Sequence, residues 1–168
     1  GKSDRLAELA KAAVDAGRAV IIDCADAEVA KAAVEAVKDS KPILNGANKD
    51  NWEAMSALAT ANGVALGVTG ASLSEIYDTI TALEKAGNKN LILDVTGADV
   101  KETLANAVEV RRSALKDGVR TLGYPSIVKL AKIAKGDLHL QAALAAVFTL
   151  KYGSIVVMEK VTMAEALP

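Results

Sequence analysis

The chain has 168 residues, of which 51% are hydrophobic and 24% charged, and its formal net charge is -1. A chain of this length can bury about 70% of its unfolded surface, so we expect a single globular domain over residues 1–168. With 3% aromatic residues and no basic stripe, it lacks the electrostatic footprint of a nucleic-acid-binding protein. No apolar run reaches the roughly 18 residues that a membrane span needs. We therefore expect a cytoplasmic protein without nucleic-acid or membrane partners.

Apolar, β-branched runs alternate with helical periodicity along the chain. After an opening helix capped by Ser3, six runs are typical of strands buried on both faces. They cover residues 19–23, 43–45, 64–68, 91–94, 120–123 and 155–159. Between them, apolar residues recur with a period near 3.6, which predicts amphipathic helices.

Capping residues support these helix positions. Asp50, Ser72 and Asp99 each precede a Glu by three residues, the spacing of a capping box. Asn45-Gly46 would favour a hairpin if a second strand followed, but the capped helix after Asp50 argues against one. Glycines at 17, 87, 118 and 153 stand where helices end. The order is strand, helix, strand, helix, which predicts a parallel sheet.

Two α/β architectures fit this order, a parallel (β/α) TIM-type barrel and an open doubly wound sheet. Nearly every predicted strand ends on a polar or permissive residue, which favours the barrel because its sites lie at the carboxyl ends of all strands. Six strands are two fewer than a closed barrel has, and the chain runs from a helix to Leu167-Pro168. We therefore expect a partial barrel lacking the first two strands and the last helix. A complete six-stranded doubly wound domain is the alternative.

Three polar residues end predicted strands on the same rim: Asp23, Asn45 and Asp94. A carboxylate accepts two parallel hydrogen bonds and an amide both donates and accepts, so the three could hold a flat ring with adjacent N–H donors. A pterin presents such an edge. The alternative is that each side chain caps the helix that follows its strand.

Other reactive residues give weaker indications. Cys24 is the only cysteine and His139 the only histidine, so the segment has neither an internal disulfide nor a cysteine-ligated metal cluster. We interpret Cys24 as a small buried residue and expect no catalytic residue and no metal ligand. Lys129, Lys132 and Lys135 predict a solvated helix face, with a docking surface for an acidic partner as the alternative.

Several longer blocks resemble one known family. "KPILNGANKDNWEAM", "KNLILDVTGADVKETLANAVEVRRSALK", "RTLGYPSIV" and "LKYGSIVVMEK…ALP" are similar to the barrel region of the large (gamma) subunit of the corrinoid iron-sulfur protein, in its archaeal form. The resemblance implies a methyl carrier of the acetyl-CoA decarbonylase/synthase complex. The parent would carry a corrinoid and an iron-sulfur cluster in flanking domains, and this segment would hold neither. Implied partners are the small (delta) subunit, the acetyl-CoA synthase subunit and the methyltransferase subunit.

A more distant resemblance is to pterin-binding methyltransferase barrels. Their strand ends are similar to "IIDCAD", "ILNGAN", "LILDV" and "LGYPS", and the likeness implies that Asp23, Asn45 and Asp94 hold a tetrahydropterin. Asn48 belongs to the same amide-rich rim, and Ser126 stands where those enzymes have an Asn that assists methyl transfer. The two resemblances imply different functions. The first is a non-catalytic barrel scaffold in a methyl carrier, and the second is a pterin-dependent methyltransferase.

Overall fold

The computed structural model describes residues 1–163. Leu167-Pro168, which the sequence analysis considered, lie outside them. Six parallel strands alternate with helices over these residues. In chain order the elements are α1 (Lys2–Asp15), β1 (Ile21–Asp23), α2 (Ala27–Val37), β2 (Ile43–Ala47), α3 (Trp52–Asn62), β3 (Ala65–Val68), α4 (Leu73–Lys85), β4 (Leu91–Asp94), α5 (Val100–Leu115), β5 (Ser126–Lys129), α6 (Leu130–Ala134), α7 (Leu138–Val147) and β6 (Ile155–Val157). Short 3₁₀ turns cover Lys38–Ser40 and Arg120–Leu122, and a π turn covers Phe148–Tyr152.

The strand order in the sheet follows the chain order from β1 to β6. A doubly wound sheet instead reverses direction at a switch point. The sequential parallel order confirms the predicted α/β class with (β/α)-barrel topology, and the doubly wound alternative was wrong. Among the described residues, no helix is long and apolar enough to cross a membrane.

The chain divides into two compact units. The first comprises Gly1–Gly70 and Ser74–Ile92, and the second comprises Ala71–Leu73 and the chain from Leu93 onward. In the first unit, β1 pairs with β2 and β2 with β3. Its core is formed by strand residues such as Leu44 and Leu66 together with Val34 of α2, all fully buried.

In the second unit, β4 pairs with β5 and β5 with β6, again in parallel. Ile127 and Val128 of β5 are fully buried, as are Leu130 and Phe148. Strand β4 is the predicted run without change, whereas β5 lies further along the chain than residues 120–123. The predicted fifth strand was therefore wrong, because the Arg120 to Leu122 segment forms a 3₁₀ turn ahead of Pro125 and the apolar pair Ile127-Val128 forms the strand.

The region around Gly46 also differs from the prediction. Strand β2 continues to Ala47, and its pairing with β3 shifts between Asn45 and Ala47, which is a bulge. Gly46 has φ +123, and a Cβ there would lie 2.8 Å from the carbonyl oxygen of Cys24. Glycine is thus required for the close approach of the two strand ends rather than for a hairpin. Helix α3 begins at Trp52, so the predicted cap at Asp50 was wrong.

Candidate functional site

In the first unit, Asp23 at the end of β1 and Asn45 within β2 are joined by a hydrogen bond. Asp23 and Asn45 are opposite each other in the strand register, and Asn45 Nδ2 donates to Asp23 Oδ1 at 2.9 Å. Asn45 is fully buried, whereas Asp23 is exposed. The structure therefore brings these two predicted site residues together and leaves one carboxylate accessible to solvent.

Gly67 makes room for the buried amide. It is paired with Asn45 across β2 and β3, and a Cβ at position 67 would overlap Asn45 Oδ1. Any side chain there would displace the amide from its place between the strands. The sequence signal was a lone glycine inside an apolar strand, which marks a close approach, and our sequence interpretation missed it.

Asparagine side chains form hydrogen bonds with backbone groups in the loop after β2. Asn48 Oδ1 accepts a hydrogen bond from the backbone N–H of Asp50 at 2.9 Å, and the Asn48 N–H donates to Asn51 Oδ1 at 2.7 Å. Asn51 Nδ2 donates to the carbonyl oxygens of Ala25, at 2.6 Å, and Gly46, at 3.1 Å. The predicted ligand residue Asn48 thus shapes a turn, and the overlooked Asn51 ties the loops after β1 and β2 together.

In the second unit, Asp94 at the end of β4 forms an ion pair. Its Oδ2 lies 2.9 Å from Lys129 Nζ, and its Oδ1 accepts a hydrogen bond from the Thr96 N–H at 3.2 Å. The Asp94 side chain is 1% exposed and that of Lys129 is 23% exposed. A buried carboxylate requires such a partner because its desolvation is costly. The interpretation of Lys129 as part of a solvated face was therefore wrong.

Ser126 lies at the opposite end of its strand from the predicted position. It is the first residue of β5, whereas Lys129 is the last. The Ser126 hydroxyl donates to the carbonyl oxygen of Tyr152 at 3.4 Å, and its N–H donates to Ser154 Oγ at 3.3 Å. The prediction that Ser126 follows a strand was wrong, because the fifth strand begins at Ser126 and does not cover residues 120–123.

Helix capping does not explain the strand-end carboxylates. Asp26 caps α2 by accepting from the N–H groups of Glu28 and Val29, and Asp99 caps α5 by accepting from the N–H of Glu102. The predicted cap at Asp99 is confirmed. Asp23 and Asp94 are accordingly engaged with a side chain of a neighbouring strand, and the capping alternative was wrong for both.

Within each unit, the predicted ligand residues fit a pterin poorly. Asp23 is accessible, but Asn45 is fully buried and the two oxygens of Asp94 are engaged by Lys129 and Thr96. An iron-sulfur cluster does not fit either, because the chain has one cysteine. Among residues 1–163, no group of three or more His, Cys, Asp and Glu side chains could hold a metal ion.

The strand order is that of a (β/α)-barrel protein, and within each unit the polar side chains of the strands are bonded to a neighbouring strand. A family model described as "CO dehydrogenase/acetyl-CoA synthase delta subunit" matches residues 2–168. The chain belongs to this family.

The curated relatives are named as large or gamma subunits, which differs from the subunit in that description. The large subunit of the corrinoid/iron-sulfur protein from Moorella thermoacetica is 34% identical over 143 residues, covering 85% of this chain and 31% of the relative. The gamma subunit of the acetyl-CoA decarbonylase/synthase complex from Methanosarcina acetivorans is 30% identical, covering 98% of this chain and 37% of the relative. The corresponding Archaeoglobus fulgidus subunit is 26% identical, over 100% of the chain and 38% of the relative. The chain thus spans about a third of the length of the relatives it matches, and its homology to the gamma or large subunit is shown.

Proposed function

We propose that the chain is the barrel portion of a gamma-type, methyl-carrying subunit of a corrinoid iron-sulfur protein, and that its role is to act as a scaffold. The parent protein would carry a methyl group between a tetrahydropterin and the nickel centre of an acetyl-CoA synthase or decarbonylase. The observation that supports this most strongly is the match to gamma and large subunits over 85% or more of the chain. We retain a cytoplasmic location as part of the proposal.

The hydrogen bonding of the rim favours a scaffold over an enzyme that binds a pterin. A pterin clasp needs carboxylate oxygens that can turn toward the ligand, whereas Asp94 is 2% exposed and held by Lys129. Asn51 likewise uses its side chain to join two loops. These interactions stabilise the strand ends, which is what a scaffold requires.

The flanking parts of the parent would hold the cofactors and would meet the partners. In this proposal the corrinoid and the iron-sulfur cluster lie outside residues 1–168. The single cysteine here does not suit the cluster. The partners would be the delta subunit, the acetyl-CoA synthase subunit and the methyltransferase subunit. The barrel would present the cobalt to these partners in turn and would not itself touch the transferred methyl group.

Two measurements on the natural full-length protein test the proposal. Its intact mass is expected to be well above 17.3 kDa, and it is expected to purify with a corrinoid, detected by absorbance and cobalt content. A natural protein of about this chain's own mass, or one free of cobalt, would contradict the carrier role. Calorimetric titration with a methyl-tetrahydropterin is expected to show no binding at the barrel.

A charge-removing variant sharpens the titration. Asp23→Asn keeps an oxygen to accept from Asn45 but removes the charge of the exposed Asp23 carboxylate, and Asp50→Asn is a matched control on the next loop. If the protein is instead a pterin-dependent methyltransferase, the parent and the Asp50→Asn variant will bind the pterin at submicromolar concentration and Asp23→Asn will not. That result would replace the scaffold role with an enzymatic one.

A further inference from the structure

The second unit contains a cavity at the end of its strands opposite to Asp94 and Lys129. The cavity has a volume of about 260 Å³ and is lined by the carboxyl-terminal half of α5 and by the segments that precede β5 and β6. Its position separates it from the rim considered above, because Ser126 at its wall begins β5 whereas Lys129 ends that strand. The inference drawn from it does not depend on the proposed function.

The charged groups of the cavity have one sign. Arg111 of α5 and Lys151 of the π turn line it, and none of its lining residues within the described chain is acidic. Two like charges that line one cavity raise its positive potential, so a ligand that lowers this potential is favoured. A negatively charged ligand satisfies that condition.

Each of the two cationic residues makes a contact within the protein. Arg111 Nη1 donates to the carbonyl oxygen of Lys151 at 3.1 Å, which uses one of the five N–H donors of the guanidinium. Lys151 Nζ lies 5.3 Å from the centre of the Tyr152 ring, a cation–π distance. Both side chains are exposed, and these contacts limit their freedom, which reduces the entropy lost on binding.

The rest of the lining combines an apolar wall with polar hydroxyls. Ala107, Val110 and Leu122 contribute aliphatic surface, and Ser154 contributes a hydroxyl. Ligand sites typically combine a mostly apolar lining with a few placed polar groups. The π turn at Phe148–Tyr152 adds to this, since such turns are rare and are frequent at functional sites.

We propose that this cavity binds a small organic anion, that is, a phosphate or carboxylate group carried on an apolar or aromatic body. Arg111 and Lys151 contact the anionic group, with the guanidinium supplying the planar pair of donors that suits either oxyanion. The aliphatic wall formed by α5 and Leu122 contacts the body of the ligand. Binding is reversible and involves no covalent step.

Ligand-observed NMR titration of the full-length protein with phenyl phosphate and with benzoate tests this proposal. Phenyl phosphate is expected to bind saturably with a Kd of about 1 mM or tighter, as suits so small a ligand. Arg111→Gln removes a charge-assisted contact and is expected to weaken binding about tenfold or more. Arg112→Gln removes the neighbouring charge, which does not line the cavity, and is expected to leave binding unchanged.

Two comparison ligands test whether the charge and the ring of the ligand both contribute to binding. Benzyl alcohol has the ring without the charge, and inorganic phosphate has the charge without the ring, so both are expected to bind more weakly than phenyl phosphate. Tighter binding of benzoate than of phenyl phosphate would identify the anion as a carboxylate, and the reverse order would identify it as a phosphate. Equal binding of benzyl alcohol, equal loss in the Arg111 and Arg112 variants, or no saturable binding of either anion would overturn the proposal.

Discussion

The two units accommodate a buried polar side chain in different ways. In each, a polar side chain of a strand is buried next to the neighbouring strand. In the first unit the buried group is the neutral amide of Asn45, whose Nδ2 donates a hydrogen bond to exposed Asp23 and whose Oδ1 packs against Gly67. In the second it is the carboxylate of Asp94, which is paired with the partly buried Lys129.

This difference has an energetic consequence. A buried amide needs hydrogen bonds and correct packing. A substitution beside it therefore lowers the free energy of unfolding by the cost of one hydrogen bond or one steric clash. A buried carboxylate needs a counter-charge, so the loss of its partner leaves an uncompensated ion in a region of low polarity. The second unit should therefore be the more sensitive to a single substitution at its rim.

The largest effect is expected for Lys129→Met. This substitution keeps most of the aliphatic side chain but removes the ammonium group that pairs with Asp94. The free energy of unfolding, measured by urea denaturation, should fall by about 3 to 5 kcal/mol, as for other buried pairs that lose one partner. Lys132→Met is the matched control, because Lys132 is exposed on α6.

A double substitution separates the buried charge from the lost packing. In Asp94→Leu/Lys129→Met both ions are absent, so most of the stability lost in Lys129→Met should return. If the single variant is as stable as the parent, or the double variant is the less stable of the two, the ion pair does not determine the stability of this rim.

The difference between the units was only partly visible in the sequence. The runs at 43–45, 64–68 and 91–94 predicted β2, β3 and β4 because apolar, β-branched residues suit a buried parallel strand. The pairing of Asp23 with Asn45 also follows from the rule that parallel strands end at one edge. Three-residue spacing made Lys129 resemble a helix face, whereas the chain is extended there and α6 begins at Leu130.

The remaining errors have a common physical cause. A run such as "RTLGYPSIVK" contains two short apolar stretches, and only the pairing with β4 and β6 decides which becomes a strand. Partners distant in sequence are likewise invisible in a local pattern, as with Asn51, whose amide reaches Ala25. Local spacing indicates the type of element, but tertiary contacts decide its register and which side chain is buried.

An intermediate effect is expected for Gly67→Ala in the first unit. The added methyl group would overlap Asn45 Oδ1, and Gly67 does not have a positive φ, so the cost is steric. We expect the free energy of unfolding to fall by about 1 to 3 kcal/mol, the usual cost of overpacking. In an Asn45→Ala background the same substitution should cost much less, and an equal cost in both backgrounds would show that the amide is not what the methyl group meets.

The smallest effect is expected for Lys49→Met, which applies the Lys129 substitution to an ion pair of the first unit. Lys49 Nζ lies 3.7 Å from Glu75 Oε2, but the lysine side chain is 62% exposed. Water and salt screen such a pair, and ordering two long side chains offsets most of the attraction, so the free energy of unfolding should change by less than about 0.5 kcal/mol. The two substitutions are chemically identical. Urea denaturation of Lys49→Met and Lys129→Met side by side therefore measures how burial changes the contribution of an ion pair to the free energy of unfolding. A loss at Lys49 as large as that at Lys129 would mean that exposure does not set the strength of these pairs, and the comparison between the units would fail.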